Sequence, residues 1–111
     1  MLAAFTRNPL EKAMLYAVLF EDDESKSNMR PKYLPQHLEF LARHADQVTA
    51  AGPMLDPSDS SPAGGLWLVE ADNPEAVEAL VHEDPFWPTG LRKSVRVLHW
   101  RQVFADGRAL L

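Results

Sequence analysis

The sequence predicts an α+β domain of ferredoxin-like βαββαβ order, with a four-stranded antiparallel sheet and both helices on one face. Three observations carry that prediction. Apolar, β-prone runs occur at 14–20, 48–54, 66–71 and 94–104. Helix-patterned segments fill the gap between the first two runs and the gap between the last two. Finally, 111 residues suit one domain with a modest core.

The first run, "MLYAVLF", is uninterrupted apolar and ends against "EDDESKSN", so it reads as a buried strand. In "LPQHLEFLARHADQ", Leu34, Leu38, Leu41 and Ala45 recur at helical spacing and form an apolar stripe. Pro35 belongs in a first turn, where a missing N–H costs nothing, which starts the helix near Tyr33 or Leu34. Gly52-Pro53 closes a short second strand, and "DPSDSSPAGG" (56–65) is a loop by composition. "LWLVEA" is the third strand. The second helix opens with Asn73 as N-cap, Pro74 at the first helical position and Glu75 in the first turn. "SVRVLHWRQVF" closes the sheet.

The strands do not alternate apolar and polar residues, as a sheet with one wet face would. Leu15, Ala17 and Leu19 oppose Tyr16, Val18 and Phe20; Leu66 and Leu68 oppose Trp67 and Val69; Val95 and Val97 oppose Leu98 and Trp100. Two helices cover one face only, and the bare second face would be a large apolar patch. A homodimer through the open sheet face removes it, with a two-fold axis relating the copies. Residues 1–13 are expected as a flexible extension, 14–104 as the domain and 105–111 as a C-terminal tail.

Composition excludes several function classes. The formal net charge is −5 without a basic cluster, so a nucleic acid is not the expected partner. No apolar run reaches the length of a membrane helix, and the N-terminus is a poor secretory signal, making a cytoplasmic location the default. With no cysteine there is no disulfide, zinc–thiolate site or thiol nucleophile. No three-ligand metal cluster, phosphate loop or nucleophile elbow is present, so neither a metal nor a cofactor is expected.

What remains is "LVHEDPFWPTG". Asp84 ends a helix at the pole where negative charge is unfavourable, and Pro85-Phe86-Trp87-Pro88 crowds it with apolar bulk. A carboxylate there needs a partner. His37, at the edge of the first helix's stripe, is a candidate acid–base group, with a half-buried His bonded to backbone as the plainer reading. Phe86 and Trp87 are packing residues by default and, as pocket walls, suit a flat apolar ligand. His44 and His82 read as solvated helix-end residues, His99 as an edge residue, and "EDDE" (21–24) as a solvated loop.

Taken in order, "LPQHLEFL", "AAGPM", the glycine pair, "AVEALVHEDPFWPTGL" and "VLHWRQVF" resemble the YCII (YciI-like) family over about residues 14 to 104. The resemblance implies a ferredoxin-like dimer of the dimeric α+β barrel type and a His–Asp site, falling on His37 and Asp84. Family members often carry Arg three residues before the histidine; Leu34 stands there, and Arg30 is the nearest substitute. The implied activity is cofactor-independent acid–base chemistry, of lyase, isomerase, hydrolase or dehalogenase type, on a small cyclic or hydroxylated-aromatic compound. A non-catalytic ligand-binding dimer and a purely structural His–Asp pair are the alternatives.

Overall fold

The structure, a computed structural model, describes residues 14–111; the expected N-terminal extension lies outside them. The main elements are β1 (Met14–Asp22), α1 (Met29–Arg43), β2 (Val48–Leu55), β3 (Pro62–Ala71), α2 (Pro74–Glu83) and β4 (Arg92–His99). All ladders are antiparallel and the sheet order is β2-β3-β1-β4. This is the expected ferredoxin-like arrangement.

Tyr16, Val18, Phe20, Trp67, Val69 and Ala71 point from the two central strands into the core, where Phe40 of α1 and Val77, Leu80 and Val81 of α2 meet them. The second helix begins as its sequence dictates. Asn73 accepts an N–H bond from Ala76 at 2.8 Å, and Pro74 takes the first helical position. The opposite side of the sheet carries Leu66, Leu68, Ala17, Leu98 and Trp100 around a shallow hollow of about 300 Å³.

Three expectations are corrected. First, α1 starts at Met29 rather than near Tyr33, because Pro31 supplies the first-turn proline and Pro35 sits inside the helix. Second, α1 buries His37 and Phe40, whereas Leu34 is 40% and Leu38 is 54% exposed. The helix is thus turned so that a bulky aromatic and a hydrogen-bonded imidazole face the sheet, and the leucines flank them. Third, the last strand ends at His99, not at 104. The expected tail folds instead into a small hairpin, β5 (Phe104–Ala105) against β6 (Arg108–Ala109). Asp106 and Gly107 turn it with φ of 54° and 77°, the left-handed pair that Asp-Gly favours.

Gly64 is required where it stands. Its φ is +102°, and a Cβ there would drive into the Phe20 carbonyl of the neighbouring strand. Gly64→Ala is therefore expected to lose roughly 2 kcal/mol or more of stability, read as a lower urea midpoint.

Candidate functional site

Helix α2 stops at Asp84 because Pro85 follows it, and Asp84 turns out of the helix into extended backbone at φ −62°, ψ 130°. Its side chain is 2% exposed. Burial at a helix C-terminus would be costly without partners, and Asp84 has three. Oδ1 lies 2.7 Å from His37 Nδ1 and accepts the Phe86 N–H at 3.1 Å, while Oδ2 lies 3.7 Å from an Arg92 guanidinium nitrogen. The aromatic wall that crowds the acid is Phe86, fully buried and stacked on the His37 ring at 4.3 Å between centroids.

His37 is 6% exposed and lies on the buried face of α1. With Nδ1 committed to a carboxylate, that nitrogen carries the proton, so Nε2 is the one left for other chemistry. His37 and Asp84, the pair that the family resemblance implies, are joined by a direct hydrogen bond.

Arg92 is the residue the sequence reading missed. Its side chain is 3% exposed and sits 3.1 Å from Asp22 on one side, with Asp84 on the other. Its guanidinium carbon lies 4.0 Å from the Phe20 ring centre and 5.2 Å from that of Phe86. Strand alternation would put Arg92 with Arg96 and Leu98 on the open face. A bulge prevents this: Glu21 pairs with Ser94 but Asp22 pairs with Arg92, so Lys93 is extra and the parity flips. Gly65 leaves room for the result, since a Cβ there would stand 3.2 Å from an Arg92 nitrogen. Burial pulls the Arg92 guanidinium below its ordinary pKa, with Asp22 and Asp84 working the other way.

Arg30, on the first turn of α1, pairs with the other oxygen of Asp22 and sits 5.4 Å from the Phe86 ring centre. Asp22 is thus held by two arginines, so this part of "EDDE" is not a solvated loop. His37, Arg30 and Arg92 line a hollow of about 100 Å³ together with Trp67, with Ala51, Gly52 and Pro53 of β2, and with Leu34, Leu38 and Leu41 of α1. A larger cavity of about 620 Å³, lined by Glu21 to Glu24, Ser27, Pro62 to Gly64 and Leu91, shares Arg30 with it but holds neither His37 nor Asp84. His37 lines only the smaller of the two.

Trp87 packs against His82 at 4.6 Å and is not among the side chains lining the hollow; Trp67 supplies the indole there. His44 rests on Phe40 and lies 3.7 Å from Glu83, and His99 lies on edge strand β4 beside Tyr16. Among the described residues no cluster of three or more His, Cys, Asp or Glu is arranged to hold a metal ion, and no helix is long and apolar enough to cross a membrane.

Comparison with known proteins adds three findings. The family model for the YCII-related domain matches residues 14–101. No curated protein sequence matches the chain. A solved structure, the 5-chloro-2-hydroxyhydroquinone dehydrochlorinase of Burkholderia phenoliruptrix AC1100 in complex with 2,5-dihydroxybenzoquinone, is similar with a TM-score of 0.70 and 25% identity, over 80% of this chain and 95% of that one.

Proposed function

The chain belongs to the YCII-related family, and from that premise we propose that it is a cofactor-independent enzyme whose His37–Asp84 pair moves protons on a small, cyclic, hydroxylated compound. The observation that carries this reading is the 2.7 Å bond between two buried groups at the edge of a hollow. Asp84 fixes the imidazole tautomer and supports positive charge on the ring. His37 Nε2 then takes a proton from the bound compound as base, and returns it as acid.

The similarity to a dehydrochlorinase supports elimination as the reaction type. Loss of HCl from a chlorinated hydroxyhydroquinone removes one proton and one chloride and leaves a quinone. One hydroxyl proton first moves to the chlorine-bearing ring carbon, and removal of a second hydroxyl proton then expels the halide from that carbon, so proton handling is the enzyme's task. Arg30 is assigned to binding, in place of the arginine absent at Leu34, while Phe86, buried and outside the lining of the hollow, backs the His37 ring. Chloride release from 5-chloro-2-hydroxyhydroquinone by the wild type, and its loss in His37→Asn, tests the reading. Release that persists at the wild-type rate in the variant would sink it.

The dimer belongs to the same proposal. Leu66, Leu68, Leu98 and Trp100 form an apolar surface that nothing among the described residues covers. A second copy packed on it would bury these side chains about a two-fold axis. Leu68→Glu is expected to convert a dimer into a monomer in sedimentation, with α1 and α2 intact by circular dichroism. A monomeric wild type at micromolar concentration would overturn the assembly and leave the site reading standing.

A further inference from the structure

Three groups that carry or accept positive charge converge on one ring. His37 stacks on Phe86 at 4.3 Å, and the Arg30 and Arg92 guanidinium carbons lie 5.4 and 5.2 Å from its centre. All three also line the 100 Å³ hollow, whose other walls are apolar. Neither Asp22 nor Asp84 is among the lining side chains, although both are bonded to those that are. The hollow therefore presents donors without a facing carboxylate.

Two features make Arg92 more than a fastener between Asp22 and Asp84. Its Nε–H is buried and has no hydrogen-bond partner, a costly state for a guanidinium donor. It stands 3.7 Å from Asp84, an ion pair beyond hydrogen-bond range, so the guanidinium has donor capacity in reserve. An arginine that lines a hollow while one of its donors goes unsatisfied suits a site for developing negative charge, built before the charge exists.

Charge accounting says which anion suits it. Arg30 and Arg92 balance Asp22 and Asp84, so the cluster is neutral when His37 is neutral. A permanently anionic ligand would unbalance it. A neutral hydroxyl compound that gives its proton to His37 Nε2 would not, since the new oxyanion and the new imidazolium cancel.

We propose that Arg92 and Arg30 form an oxyanion subsite that holds the deprotonated oxygen of a phenol or enol while His37 holds its proton. This rests on the acid–base reading of His37 and adds the substrate class, a weakly acidic ring hydroxyl, and the residues that acidify it. The O–H bond breaks, an N–H bond forms at Nε2, and no electrons leave the pair of molecules. The oxyanion takes charge-assisted bonds from the guanidinium groups, which favour the charged form.

4-Nitrophenol is the probe, because its phenolate is coloured and the free compound titrates near neutrality. Bound to the wild type, its phenol–phenolate equilibrium is expected to shift toward phenolate by at least about tenfold. The neutral ether 4-nitroanisole should bind at least tenfold more weakly. Arg92→Met and Arg30→Met are each expected to lose most of the shift. Should Arg92→Met fail to fold, the wild-type Arg92 Nε–H resonance decides: it should move with 4-nitrophenol and stay in place with 4-nitroanisole. No shift toward phenolate in the wild type, or equal binding of phenol and ether, overturns the subsite. His37→Asn separates the two readings. Chloride release unaffected by that variant would sink the catalysis, whereas a phenolate shift that shrinks in it, for want of the balancing imidazolium, but does not vanish supports the arginine subsite alone.

Discussion

His37→Asn is expected to lower turnover about 100- to 10,000-fold, the range that one positioned acid–base group contributes. Asparagine is the informative replacement. Its side-chain N–H₂ can occupy the position of Nδ1 and donate to Asp84, which the imidazole now contacts at 2.7 Å. What it removes is Nε2, the nitrogen that the carboxylate bond leaves for substrate. It also removes the ring stacked on Phe86, so a cost of about 1–2 kcal/mol in stability is expected, well short of unfolding. The loss should fall on kcat, with KM changed little, because the missing interaction is one made in the transition state. A purely structural pair gives the opposite pattern, a large fall in stability with no ligand response to lose.

How much of this was legible follows from what each residue type can signal alone. Asn73-Pro74-Glu75 is a local helix start and needs nothing distant, and the structure reproduces it. The strand order followed because unbroken apolar runs separated by helix-patterned segments admit few topologies. The phase of α1 was not legible. Three leucines at helical spacing outweighed His37 and Phe40 on paper, yet the sheet presents Trp67, and the segment after α2 presents Phe86, to this helix, and the aromatic and the imidazole answer them. Periodicity cannot know which stripe the opposite surface prefers.

Arg92 was illegible for a related reason. In "RKSVRV" two adjacent bases look alike, and strict alternation assigns the first to the open face. Only the pairing with β1 creates the bulge at Lys93 that turns Arg92 inward, and only Gly65 across the sheet makes space for it. Both are non-local. Asp84 was legible because its discomfort was local: a carboxylate at a helix C-terminus against four bulky residues demands a partner, even when the partner's identity comes from elsewhere.

That demand sets the largest stability effect. Asp84→Ala is expected to cost about 3–5 kcal/mol, since it strips one partner from a buried ionic cluster and leaves the others desolvated. The imidazole loses its Nδ1 acceptor, the Phe86 N–H loses its side-chain bond, and Arg92 keeps only Asp22, which it shares with Arg30. The imidazole can shed charge by staying neutral; the buried guanidinium cannot. Much of the cost should therefore reside in Arg92, and a second substitution exposes it. In Asp84→Ala/Arg92→Met the unpaired cation is gone, a side chain of similar length fills its place, and Arg30 still neutralises Asp22. The double variant should be less destabilised than the sum of the two singles by about 1–3 kcal/mol, measured from urea midpoints at constant slope. Strict additivity would mean that the 3.7 Å approach of Arg92 to Asp84 carries no coupling, and the charge balance argued for the hollow would then lose its footing.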